Sequence, residues 1–124
     1  MSTFPANLSY TAEHEWLAPG DPVTFGITDT ASEALGDIVY LELPAVGDAI
    51  TAGAACGEIE STKSVSELFS PVSGTVVEVN QAAVDDPALV SSDPYGAGWL
   101  LKAVVTETGP LLSPAEYATL AEGE

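Results

Sequence analysis

A chain of 124 residues is close to the commonest size for one domain and can bury a single core. Lys and Arg together number 2 against 19 Asp and Glu, a formal net charge of -17; such a chain lacks the cations that phosphate contacts require and is repelled by anionic lipid, so neither nucleic acid nor a membrane is an expected partner. Hydrophobic residues make up 46% of it, too many for a disordered acidic segment, so one folded domain over residues 1–124 is expected, with its core at about 8–121.

After a short polar leader, Leu8 to Tyr10 and Trp16 to Ala18 read as short extended pieces around Glu13-His14-Glu15. Pro19-Gly20-Asp21-Pro22 is a turn cluster, and Val23 to Ile27 is the expected hairpin return. Thr28 to Leu35 carries helix signals: Thr28 or Thr30 as N-cap, Glu33 placed for a capping box with Thr30, and Gly36 as the stop. The pattern then changes to period two. Ile38 to Leu43, Ala55 to Ser61 and Val65 to Ser70 are predicted strands, Pro71-Val72-Ser73-Gly74 a turn, and Thr75 to Val79 the next strand. Asn80 to Gly98 reads as a long polar excursion with one helical turn at Pro87 to Val90. Trp99 to Val105 is an apolar strand that buries Lys102, and Ser113-Pro114-Ala115-Glu116 opens a terminal helix near 114–121. Short strands broken by Gly and Pro argue for a mainly β fold, a sandwich or flattened barrel.

The single cysteine, Cys56, cannot form an internal disulfide and lies in a strand-like run of small residues, which fits a buried, inert thiol in a reducing compartment. The start of the chain lacks a basic flank followed by an apolar segment, and no apolar run reaches bilayer length, so a cytoplasmic location is expected. One histidine, His14, rules out a histidine-rich metal site. No metal-ligand cluster, nucleophile-base pair or glycine-rich phosphate loop stands out, so the chain is not expected to be an enzyme on its own.

Lys63 is the informative residue. Alternating apolar segments flank Ser61-Thr62-Lys63-Ser64, which places the lysine at a hairpin bend with its ammonium in water. On composition alone, an ordinary surface lysine in salt-bridge range of Glu60 or Glu67 is the better reading. The window Glu60-Ser61-Thr62-Lys63, an apolar strand and then Pro71-Val72-Ser73-Gly74 resembles the attachment hairpin of lipoyl domains. Biotinyl domains normally carry methionine on both sides of the lysine, where this chain has Thr62 and Ser64. His14-Glu15-Trp16, Gly26-Ile27-Thr28, Leu35-Gly36-Asp37, Leu43-Pro44, Gly47, Val79-Asn80, Pro94-Tyr95 and Gly98-Trp99 extend the resemblance from about Leu8 to Tyr117, in the order seen in the glycine cleavage system H protein family.

That resemblance implies a barrel-sandwich hybrid of the lipoyl/biotinyl type with lipoic acid covalently attached to Lys63. It further implies a monomeric, non-catalytic shuttle. The family carries the aminomethyl group of glycine from the pyridoxal-phosphate-dependent glycine decarboxylase to the tetrahydrofolate-dependent aminomethyltransferase, and dihydrolipoyl dehydrogenase reoxidises the arm. A lipoate ligase or lipoyl transferase would load it. Glu15 matches the family motif for the cleft that shelters the loaded arm, Glu67 stands where aspartate is common, and Glu60 belongs to the recognition window. Glu13 occupies a position that is often serine, and Ala34 one where histidine can occur. The alternatives are an H-like acyl or lipoyl relay in lipoate metabolism and a lipoyl domain of a 2-oxoacid dehydrogenase complex, which resembles the lysine hairpin alone. His14 is read as structural, and Trp16 and Trp99 as core residues.

Overall fold

The computed structural model describes residues 8–20, 22–109 and 111–122. The leader at 1–7 and Asp21 of the first turn lie outside these described residues. Among the described residues, nine strands form two antiparallel sheets: β1 (Ser9–Tyr10), β2 (Glu15–Ala18), β3 (Val23–Ile27), β4 (Ile38–Glu42), β5 (Ala49–Ile50), β6 (Ala55–Ser61), β7 (Val65–Phe69), β8 (Val72–Val79) and β9 (Leu101–Thr108). The larger sheet has the order β1-β2-β3-β9-β8-β5 and the smaller β4-β6-β7. Phe25, Val76 and Leu101 of the first share one apolar core with Leu41, Ile59 and Leu68 of the second, as expected of two sheets packed face to face. The predicted mainly β fold, with a short helix near 28–35 and another near 114–121, is therefore the observed one, with two further short helices between β8 and β9.

Helix α1 (Asp29–Leu35) starts from Thr28, whose hydroxyl accepts from the Ala31 amide at 3.3 Å. This cap puts Ala31, not Glu33, at the third helical position, so the box expected between Thr30 and Glu33 does not form. The same Thr28 hydroxyl shares a hydrogen bond with the Tyr117 hydroxyl at 2.7 Å, and that second bond accounts for a helix that begins at Thr28. At the other end Gly36 takes φ +84° and its amide donates to the Ser32 carbonyl, as predicted for the stop.

Three strand-level expectations need correction. Val72, Ser73 and Gly74 are not a turn but the start of β8, paired with β9 across two register shifts. The chain instead leaves the small sheet for the large one at Ser70 and Pro71. Glycine is required at position 74 because a Cβ there would run into the Val104 carbonyl oxygen of β9. The excursion after β8 holds two short helices, α2 (Gln81–Asp85) and α3 (Ala88–Ser92), rather than one turn. Buried Asn80 ties its ends together by donating from Nδ2 to the carbonyls of Ala97 at 2.8 Å and Trp99 at 2.6 Å. Lys102 is half-buried rather than buried, because its ammonium escapes the strand over the Trp99 ring, 5.1 Å from the centroid.

The terminal helix α4 (Pro114–Glu122) opens with a complete capping box: the Glu116 amide donates to Ser113 Oγ at 3.1 Å, and the Ser113 amide donates to Glu116 Oε1 at 2.9 Å. It delivers Tyr117 into a buried stack on Tyr10, 4.8 Å between centroids. Ser113→Ala should cost about 1 kcal/mol of stability and raise hydrogen exchange at the start of α4; an unchanged melting temperature would contradict the cap.

Candidate functional site

The hairpin joining β6 to β7 is organised by one side chain. Ser61, itself buried, accepts the amides of Lys63 at 3.2 Å and Ser64 at 3.1 Å on its hydroxyl oxygen, and donates that hydroxyl to the Ser64 carbonyl at 3.1 Å. Its own amide donates to the Ser64 carbonyl at 2.8 Å, closing the two-residue turn. The Thr62 amide donates to the Asp37 carbonyl at 3.0 Å, which braces the tip against the loop between α1 and β4. Serine at 61 is thus the small hydroxyl that satisfies the turn amides from inside it.

Lys63 is exposed at this tip. Its stem lies over Gly36: a Cβ built on that glycine would stand 3.2 Å from Lys63 Cε and 3.9 Å from Nζ. Helix α1 has no basic residue in its last turn, and the lysine ammonium arrives from the hairpin beside that carbonyl end instead. Glu60 and Glu67 are also exposed, and the register sets Glu60 between Tyr40 and Val65 and Glu67 opposite Glu58. The Lys63 hairpin, Glu60 and Glu67 therefore share the small sheet.

Glu15 lies elsewhere, at the start of β2, and is only 2% exposed. That burial rules out a solvated strand residue. Its carboxyl accepts the Thr11 hydroxyl at 2.8 Å and lies close enough to the Phe69 backbone amide for that group to lower its pKa, so it reaches towards the far end of β7. The Thr11 oxygen in turn accepts the Glu15 amide at 3.1 Å. Burial pushes the carboxyl up to about 8; the Glu13 charge adds to the rise, while Thr11 and Phe69 oppose it. At neutral pH the isolated group is thus largely protonated. It borders a cavity of about 140 Å³ together with Thr11, Glu13, Ser70, Pro71 and Gly109. Neither Lys63, Glu60 nor Glu67 lines that cavity, so the sequence-nominated residues fall into two groups, one at the hairpin and one at the seam between sheets.

His14 takes φ +68° in the tight turn in which its amide donates to the Thr11 carbonyl. Its Nδ1 is hydrogen-bonded to the Tyr117 hydroxyl at 2.6 Å, and the two rings meet edge to face. This contact gives the histidine a structural place between β2 and α4. The Cys56 thiol, half-buried on β6, is pushed up to about 12 by burial, with the nearby Glu15 adding to the rise, so it is a poor nucleophile. Trp16 is buried over Gly26 and donates its indole N–H to the Pro94 carbonyl at 2.8 Å, whereas Trp99 is only partly buried under Lys102. Sequence reasoning missed the pair formed by Tyr95 and Asp29, in which the phenol donates to the carboxylate at 2.8 Å and accepts the Asp29 amide at 3.2 Å. The Pro94-Tyr95 dipeptide gave no hint of a partner so far back in the chain. Among the described residues no three His, Cys, Asp or Glu side chains are placed to hold a metal ion, and no helix is long and apolar enough to cross a membrane.

Comparison with known proteins gives a consistent result. The family described as glycine cleavage H-protein matches residues 8–123. The glycine cleavage system H protein of Thermobifida fusca is 62% identical over 122 residues, covering 97% of each chain. That of Beutenbergia cavernae is 59% identical over 121 residues, covering 97% of this chain and 98% of its own. The crystal structure of a glycine cleavage system H protein from Mycobacterium marinum superposes with a TM-score of 0.92 at 54% identity, covering 98% of this chain and 100% of that one.

Proposed function

The chain belongs to the glycine cleavage H-protein family, and from that premise we propose that it is the lipoyl-bearing carrier of the glycine cleavage system, with lipoic acid attached through an amide to Lys63. The observation that carries the assignment is the exposed lysine at a turn braced by Ser61 and Asp37. A ligase can reach such an amine, deprotonate it and acylate it. The match over residues 8–123 sets aside the lipoyl domain of a 2-oxoacid dehydrogenase complex, which shares the hairpin alone.

The residues present suit the lipoyl group. Gly36, which has no side chain, lies beneath the lysine stem, so the attachment point meets no bulky neighbour there. When bound, the group supplies a disulfide able to take up the aminomethyl unit left by glycine on decarboxylation. The protein's own part is to hold, orient and shield. Glu15 offers a buried carboxyl beside a small cavity, and a cationic amine entering there would draw its proton off and pair with the carboxylate, since an opposite charge favours ionisation in a dry site. Glu13 borders the same cavity and adds negative potential. Glu60 and Glu67 take a recognition role on the hairpin sheet.

In this reading the chain performs no chemistry alone. It acts as a single monomeric domain in the cytoplasm and meets glycine decarboxylase, aminomethyltransferase and dihydrolipoyl dehydrogenase in turn, after loading by a lipoate ligase or lipoyl transferase. Incubation with a lipoate ligase, lipoate and ATP, followed by intact-mass measurement and peptide mapping, should give one lipoyl adduct, on Lys63 and not on Lys102. An adduct on Lys102, or none at all, refutes the assignment.

A further inference from the structure

The outward face of the small sheet has features that its own packing does not account for. A bulge between Ile38 and Tyr40 turns two consecutive β4 side chains to solvent, leaving Val39 50% and Tyr40 53% exposed. On β7, Val65 is 56% exposed, and the strand register sets Tyr40, Glu60 and Val65 side by side across the sheet. The exposed apolar surface of Tyr40 and Val65, on either side of Glu60, forgoes the stabilisation that covering it would bring. Further from the hairpin tip, Glu42, Glu58 and Glu67 face one another across the same three strands, all exposed. Like charges opposed across a sheet destabilise it, and none of the three strands contains a lysine or arginine to relieve them.

The geometry points to this face as the docking surface for the enzyme that acylates Lys63, a partner with an apolar strip bordered by basic residues beside its catalytic cleft. The inference rests on the reading of Lys63 as the attachment site. Reach decides the occupant. An enzyme that uses the end of a long arm can stand away from the hairpin, but one that forms the amide must bring an acyl adenylate to bonding distance of Nζ. There the ammonium gives its proton to a base, and the amine attacks the acyl carbonyl. The C–N bond forms, the acyl C–O bond to the phosphate breaks, adenylate leaves with the electron pair, and the nitrogen gives up its second proton to a base or to the departing phosphate oxygen. Such an approach must cover the residues flanking the turn. Glu60 and Val65 stand directly on either side of it, with Tyr40 next to Glu60. Tyr40, Val39 and Val65 supply apolar contact area beside the turn, and Glu60 with the glutamate row behind it selects and steers a basic rim.

The test is the steady-state rate of lipoyl transfer to Lys63 by a bacterial lipoate ligase, with lipoate and ATP saturating and this protein as the varied substrate. Tyr40→Ser/Val65→Ser and Glu42→Gln/Glu58→Gln/Glu67→Gln should each raise KM tenfold or more while kcat stays within twofold. Added salt should raise the wild-type KM and act far less on the triple-glutamine variant. Val77→Ser/Val104→Ser, exposed on the large sheet, should leave KM unchanged. A KM within twofold of wild type in both test variants, or an equal rise in the large-sheet variant, overturns the docking face while leaving the attachment site intact. Absence of any Lys63 adduct on the wild-type chain removes the attachment reading, and this inference with it.

Discussion

Lys63→Arg should abolish lipoylation and reduce glycine cleavage supported by this carrier to background, while its melting temperature stays close to that of the wild type. Arginine keeps the positive charge over Gly36, yet its guanidinium remains protonated in proteins and offers no free amine to acylate. The side chain is exposed, and substitutions at such positions usually change stability by no more than about 0.5 kcal/mol. The turn itself depends on Ser61 and on the amides of residues 62 to 64, all of which survive the change. Intact mass, glycine-dependent carbon dioxide release and thermal melting together check the expectation. Persistent lipoylation of the variant would place attachment elsewhere, and gross unfolding would make the lysine a structural residue.

The second large effect concerns Glu15. Its carboxyl is raised from an ordinary value of 4.5 to about 8, mainly by burial. Below about 4.5 the group is protonated in both folded and unfolded chains and contributes no pH dependence. As pH rises from 4.5 towards 8, the unfolded chain releases this proton and the folded one retains it, so stability falls across that window. Above 8 the loss is complete, of the order of 5 kcal/mol. Glu15→Gln keeps an oxygen for the Thr11 hydroxyl and the Phe69 amide but cannot ionise. The variant should therefore match the wild type near pH 4.5 and become progressively more stable than it up to pH 8. Denaturant melts of both proteins across that range isolate Glu15, because the other carboxylates are common to the pair. Parallel pH curves would show that the group is not held protonated.

Local signals in the sequence were sufficient where a few neighbouring residues decide the outcome. Strand β6 runs from Ala55 to Ser61, within the bounds that alternation indicates, and Ser113, Pro114 and Glu116 start α4 as their order predicts. Lys63 was readable as exposed because two apolar strands bracket a polar tetrad. What stayed hidden depends on distant partners. Thr30 and Glu33 form a plausible capping pair by spacing, but Tyr117 hydrogen-bonds to Thr28 from the far end of the chain. Pro71 to Gly74 has turn composition, yet the close approach of β9 explains the glycine. Glu15 sits in a polar tripeptide whose composition suggests solvent, and its burial arises from Thr11 on one side and β7 on the other. The outward exposure of Val39, Tyr40 and Val65 depends on a bulge, which shifts the period of two that alternation assumes.

Ser61 grips the turn from within, and Asp37 holds it from the neighbouring loop. Whatever is tethered at Lys63 consequently pivots about a stationary hinge pin and does not ride on a wandering loop. Its far end is confined to a volume whose radius is fixed by tether length, so the effective concentration of cargo at a docked enzyme is set by the distance of that enzyme's site from the turn. Loosening the hinge, for instance by removing the Ser61 hydroxyl, would dilute the cargo for every enzyme at once.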